Sequence, residues 1–336
     1  MRLRFQEEAV DLLRGAIDIH IHSAPDLYCR ILNDIELALR FSRLTRLFTG
    51  AGYDKMVVTG FSRGAYLTWA LANKQTQTPK FRRHVKAIAP VDYAYKLNPD
   101  NFIVELFDMQ TVACERAGFS EFVFGMGLYG NENGALINAA AGLAYLYPND
   151  PSPLNPELTN SQFLKVAVGA TYEIWKITMG GEITPWFHFS GVNFFDPEQT
   201  WPLLYTDEAL MLDLALNHMP PYQSRGEQYD SQVVQCGMVD SPYDDYLSQI
   251  DIPVLSIEAR GGFGVRDDYV TGETLGEYTL SLIGTPAEDK GSIVVELLDT
   301  SNVETAWLDF GHADLFFSDL AKPMVWDPMI TWIKAQ

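Results

Sequence analysis

The sequence predicts an α/β protein, a mostly parallel sheet flanked by helices and carrying a large, mainly helical insertion. Short apolar runs recur at residues 55–59, 86–91 and 252–257, as expected of strands that a parallel sheet covers on both faces. Stretches of helix-forming composition fall between or after them, the strand–helix–strand order of such a sheet. Between residues 98 and 250 the chain turns aromatic, acidic and mostly helical, with proline-rich breaks at 148–156 and 220–221. That change of character marks the insertion.

Residues 5–14 read as a short helix. Residues 16–22 alternate as a strand, with Ile17, Ile19 and Ile21 on one face and Asp18, His20 and His22 on the other. A Ser-Ala-Pro-Asp turn follows, and Asn33 with Glu36 three residues later makes a capping pair for a helix ending near Gly50 or Gly52. The run 55–59 enters Gly60-Phe61-Ser62-Arg63-Gly64, after which residues 65–73 suit a helix. The strand at 86–91 ends at Asp92. Beyond the insertion come strands at 252–257 and 303–308 and a closing helix over 325–335. On this reading residues 1–97 and 251–336 form the core, and 98–250 form a cap.

With 47% hydrophobic and 20% charged residues among 336, the chain can bury a large core, which excludes disorder, collagen and coiled coil. Its formal net charge is −20, so a nucleic-acid partner is not expected. Residues 98–250 hold twenty carboxylates against Arg116, Lys165, Lys176 and Arg225, a local net of −16 that disfavours anionic substrates. Among its apolar side chains Met109, Phe122, Tyr145 and Phe189 are read as cap core or pocket lining, which suits a small, neutral, largely apolar substrate. No apolar stretch reaches the ~20 residues a bilayer requires, and no signal peptide is read, so a cytoplasmic protein without a membrane span is expected. Cys29, Cys114 and Cys236 are widely spaced and odd in number, so they are read as buried apolar residues rather than a disulfide framework.

Gly60 to Gly64 carry the strongest chemical signal. A serine between strand and helix projects its hydroxyl from the sheet edge, and glycines on both sides remove Cβ atoms from a tight turn. The backbone N–H of Arg63, at the helix start, then faces developing negative charge. A serine needs a base, and Asp309-Phe310-Gly311-His312-Ala313-Asp314 places a histidine in a loop near the C-terminus. The bland alternative is a surface His312 paired with Asp309 or Asp314.

Through the elbow Val57 to Gly64, the strand at 252–257 and Gly311-His312, the chain resembles the α/β-hydrolase superfamily. The resemblance covers roughly residues 44–97 and 250–336, and it implies a Ser-His-acid triad, no cofactor and no metal. In that superfamily the acid usually follows strand seven, yet Glu258-Ala259-Arg260-Gly261-Gly262-Phe263-Gly264 has a glycine where it would stand. Some lipase-like members carry the acid after strand six, where Asp92 sits. Asp92 is therefore placed first, ahead of Glu258, Asp267 and Asp268; its bland reading is a cap on the following turn.

Two other patterns compete. Asp18-Ile19-His20-Ile21-His22 puts both histidines on one strand face and resembles the opening of metal-dependent amidohydrolases, giving the alternative of a metal hydrolase using His20 and His22. The same strand could instead precede an oxyanion loop, with a backbone N–H near residues 22–24 as second donor. Gly125-Met126-Gly127-Leu128-Tyr129-Gly130 matches a dinucleotide fingerprint, but no second strand follows at the required distance, so it is read as a turn between cap helices. The expectation is a serine hydrolase of neutral carboxylic esters using Ser62, His312 and Asp92, with the Arg63 amide on the oxyanion. A non-catalytic binding protein of the same fold is the third possibility.

Overall fold

A computed structural model describes residues 55–125, 133–169, 189–190, 203–217, 225–266, 272–298 and 308–336. The expectations for residues 1–54, including the strand carrying His20 and His22, lie outside these. So does the rest of the glycine-rich pattern after Gly125.

Among the described residues four parallel strands pair in sequence order: β1 Met56–Phe61, β2 Val85–Val91, β3 Val254–Ala259 and β4 Lys290–Val295. The register aligns Phe61 with Val91 and Val91 with Ile257, so the C-terminal ends of β1, β2 and β3 lie side by side. Helix α1, Arg63–Gln75, links β1 to β2 and packs on both. Between β2 and β3 come α2 Phe102–Leu106, α3 Met109–Gly125, α4 Asn133–Leu146, α5 Asn160–Gly169, α6 Glu208–Asn217 and α7 Arg225–Cys236. Helix α8, Glu277–Leu282, joins β3 to β4. After β4 follow the short α9, Asp314–Phe317, and α10, Asp327–Ala335.

β3 is buried along its whole length, and β2 all but one residue, which explains their largely apolar sequence; Lys86 on β2 and Ser256 and Glu258 on β3 are the exceptions. One face packs Ile88 and Val254 against Tyr66 and Trp69 of α1; the other packs Val91, Leu255 and Ile257 against Phe310, Leu315 and Met329. Burying this apolar area is the main stabilising contribution, at roughly 25 cal/mol per Å². The stretch between β2 and β3 has its own apolar cluster, in which Ala141, Leu164 and Met211 meet Phe189, Leu203 and Ala313. Because Ala313 directly follows His312, that cluster reaches the histidine loop.

Three expectations need correction. Strand β4, Lys290–Val295, is one that the sequence did not suggest, and residues 303–307 of the expected 303–308 strand lie outside the described residues. β4 opens with Lys290-Gly291-Ser292 and is only partly buried, so its apolar signal is confined to Ile293, Val294 and Val295. Cys114 and Cys236 form a disulfide across 122 residues, with Cα atoms 4.9 Å apart. It joins α3 to α7, whose packing brings together cysteines that linear spacing separates. Met109 and Phe189 are buried as expected, but Phe122 and Tyr145 are 62% and 65% exposed and belong to no core.

Candidate active site

β1 runs straight into the elbow. Ser62 adopts φ 55° and ψ −120°, a left-handed conformation strained for any residue with a Cβ. The turn is held because the Ser62 N–H donates to Val91 O at 2.9 Å, and its carbonyl accepts from Ala65 and Tyr66 as α1 begins. Gly60 is indispensable here: a Cβ would lie 2.1 Å from Gly64 O. At Gly64 a Cβ meets nothing within 4 Å among the described residues, so the steric purpose expected of both glycines is seen at the first. Arg63 opens α1, so its backbone N–H sits at the positive end of the helix dipole.

At the neighbouring strand end Asp92 also takes a positive φ, 50°, with its N–H donating to Ile257 O at 2.7 Å. This turns its side chain toward the loop after β3. Asp92 Oδ1 accepts from the N–H groups of Ala259 at 2.9 Å and Phe263 at 3.1 Å. Asp92 Oδ2 lies 2.6 Å from His312 Nδ1, with both side chains buried. Gly262 makes this possible, because a Cβ at that position would stand 2.1 Å from Oδ2.

The His312 ring stacks on Phe61 with centroids 4.3 Å apart, and Phe263 meets it edge-on at 6.1 Å. Phe61 directly precedes Ser62. The structure therefore gathers the elbow, Asp92 and His312 at the C-terminal edge of the sheet, with an acid and an imidazole in hydrogen-bond contact.

Glu258 sits elsewhere. It is fully buried on β3, where its Oε1 accepts from Ser256 Oγ at 2.8 Å, and a Cβ at Gly276 would stand 2.2 Å from that oxygen. Burial pushes its carboxyl up to about 8, against hydrogen bonds from Thr274 and Ser256 that lower it. Asp267 and Asp268 lie outside the described residues.

Asp309 and Asp314, read from the sequence as bland partners for His312, instead hold backbone. Asp309 accepts from the N–H groups of Leu297, Leu298 and Phe310, with Arg260 Nη1 at 3.5 Å. Asp314 accepts from Gly311 N–H at 2.9 Å, and burial pushes its carboxyl up despite its hydrogen bonds. Both are completely buried. The sequence did hold a signal for them, since acids flanking a histidine inside an apolar loop need internal donors once buried.

No metal-binding group of three or more His, Cys, Asp or Glu side chains occurs among the described residues. Among the same residues no helix is long and apolar enough to cross a membrane.

The four described strands pair in sequence order, with a serine elbow after the first and a histidine after the last of them, and make the parallel, helix-flanked sheet that was expected. No known sequence family and no curated protein matches the chain. Solved structures align with the chain at low identity. An alpha/beta hydrolase enzyme from a Medee basin deep-sea metagenome library is 12% identical, with 88% of this chain and 70% of that one covered and a TM-score of 0.34. An acetylester hydrolase from Corynebacterium glutamicum is 16% identical over 88% and 66% of the chains, TM-score 0.38. Homoserine O-acetyltransferase from Bacillus anthracis is 12% identical over 88% and 65%, TM-score 0.35. The chain thus spans about two thirds of the length of these structures.

Proposed function

We propose that this chain is a serine hydrolase that cleaves a neutral carboxylic ester through Ser62, His312 and Asp92. What supports the reading is the buried contact of 2.6 Å between Asp92 and His312, seated on the aromatic ring that precedes the strained Ser62. Ser62 Oγ attacks the ester carbonyl carbon as its proton passes to His312. The Arg63 N–H stabilises the oxyanion, and a lost donor of that kind costs about 10²- to 10³-fold. The carbon–oxygen bond to the alcohol then breaks as His312 returns the proton to the leaving oxygen. Water, deprotonated by His312, attacks the acyl-serine, releasing the acid and restoring Ser62. Asp92 keeps the Nδ1 proton in place, so the other ring nitrogen is the one that exchanges protons.

Residues 98–250 would form the cap over this site, and their net charge of −16 favours neutral, apolar acyl or alkyl groups over anions. No cofactor enters the scheme. The cytoplasmic location expected from the sequence is kept with one condition: there Cys114 and Cys236 would be held as two thiols. Hydrolysis of p-nitrophenyl esters of increasing acyl length tests the proposal. Turnover that survives chelator and is lost in Ser62→Ala supports it; turnover that survives Ser62→Ala but not chelator replaces it with the metal alternative at His20 and His22.

A further inference from the structure

Two residues beyond His312, the Asp314 carboxylate stands where two distant parts of the chain meet. Its Oδ2 accepts from the backbone N–H of Gly311 at 2.9 Å and of Ser190 at 3.0 Å, and its Oδ1 from Thr206 Oγ1 at 2.5 Å. Gly311 immediately precedes His312, whereas Ser190 and Thr206 belong to the stretch between β2 and β3. Two more bonds close the same seam: Ser190 Oγ donates to Asp309 O, and Tyr205 Oη donates to Leu308 O at 3.0 Å. Around them Ala313 packs into the cluster of Phe189 and Leu203, and Phe317 stacks with Phe189 at 6.3 Å.

Asp314 and Ser190 are fully buried and Thr206 nearly so. A buried carboxylate is tolerated only when its oxygens are satisfied, and each missing donor is costly. The loop does not need Asp314 merely to be anchored, because Asp309 already ties it to Leu297 and Leu298. What Asp314 adds is the link to Ser190 and Thr206.

We propose that Asp314 is a positioning residue that joins the 98–250 stretch to the His312 loop as one hydrogen-bonded unit, so that the seat of that stretch fixes the place of the imidazole. Its consequence for catalysis rests on reading His312 as the base; the linkage itself does not. Loss of the bonds to Ser190 and Thr206 therefore disturbs His312 although neither residue is part of its loop.

The test compares Asp314→Ala, Asp314→Asn and Thr206→Val by three readouts. One is the downfield proton of His312 Nδ1 against Asp92 in NMR spectra, another is amide hydrogen exchange at residues 189–190, 203–206 and 311–314, and the third is the rate at which a fluorophosphonate labels Ser62. In Asp314→Ala exchange rises in both segments together, the His312 proton broadens, and labelling slows by about 10- to 100-fold, as misplacement of a base by a fraction of an ångström requires. Asp314→Asn keeps an acceptor for both N–H groups and stays within about threefold of the parent. Thr206→Val, which alters only the far side of the seam, broadens the His312 proton as well, and it decides the matter should the alanine variant not fold. A Thr206→Val protein with exchange raised only at 203–206 and the His312 proton unchanged overturns the proposal. If the parent is not labelled at Ser62 while proton and exchange respond as described, the hydrolase reading fails and the linkage stands.

Discussion

The carboxylate of Asp92 fills the space that a side chain on Gly262 would need. A Cβ there would come within 2.1 Å of Oδ2 and 2.8 Å of Cγ, and Asp92 Oδ1 meanwhile holds the N–H of Phe263, the residue next to that glycine. The loop after β3, where the α/β-hydrolase resemblance would put an acid, thus supplies backbone donors and room, and the carboxylate beside His312 comes from the end of β2.

Gly262→Ala should therefore lower esterase turnover by about 10²-fold or more and lower the melting temperature as well, because the added methyl group displaces the buried Asp92 carboxylate from His312 and from its backbone donors. Asp92→Asn should cost at least as much, about 10³- to 10⁴-fold in kcat, by favouring the wrong imidazole tautomer. Steady-state kinetics beside thermal melts separate these effects from unfolding. A fully active Gly262→Ala would mean that Asp92 does not act from its observed position.

The two glycines of the elbow should part company. Gly60→Ala drives a methyl group into the Gly64 carbonyl and should destabilise the fold by more than about 3 kcal/mol, as overpacking against fixed backbone does. Gly64→Ala meets open space inside α1 and should be neutral or stabilising by roughly 0.5 to 1 kcal/mol. Urea melts of the two variants read the difference in sign.

Glu258 makes stability depend on pH in a definite direction. Burial above all, and then the like charges of Asp92 and Glu277, raise its carboxyl from 4.5 to about 8, so the folded chain binds a proton that the unfolded chain has released. The stability this contributes is complete below the unfolded value and is lost as pH rises through the folded one, so the term falls between about pH 4.5 and 8. Glu258→Gln, which keeps an oxygen for Ser256 Oγ, should flatten that slope and exceed the parent in stability near pH 8 by on the order of a few kcal/mol. Denaturant titrations at pH 5 and pH 8 measure it; parallel pH profiles for parent and variant would speak against a buried neutral acid.

Oxidised protein should show one free thiol under denaturing conditions, Cys29, because two of the three cysteines are joined as Cys114–Cys236. Reduction should lower stability, since in the chain-entropy account a bond closing a loop of about 100 residues contributes roughly 4 to 5 kcal/mol. Thiol titration and melts with and without reductant check both statements. Three thiols in protein prepared without reductant would show that the bond does not form.

The sheet and the elbow were legible because they follow from local rules. Buried parallel strands such as β2 and β3 are mostly apolar, and a glycine-flanked serine between strand and helix has few other uses. Met56–Phe61 and Arg63–Gln75 fell within two residues of their expected limits. β4 was hidden because half of it is polar or glycine and its burial is partial. The disulfide was hidden for another reason: α3 and α7 meet only after the chain has folded, and no spacing rule anticipates a pairing across 122 residues. Asp92 could be ranked first but not placed, as its contact with His312 depends on a positive φ and on an empty position at Gly262, both three-dimensional facts. The alternative pairing of His312 with Asp309 or Asp314 rested on proximity in sequence; besides local N–H groups these acids take donors at Leu297, Leu298, Ser190 and Thr206, which no local window shows.

The central claim is that Ser62 is an activated nucleophile, and the most direct measurement is intact-mass labelling with a fluorophosphonate, followed by peptide mapping. The account predicts one adduct per chain, on Ser62, formed about 10²-fold or more slowly in His312→Ala and Asp92→Asn. No adduct on folded protein, or an adduct on another serine that is indifferent to those two substitutions, would contradict it.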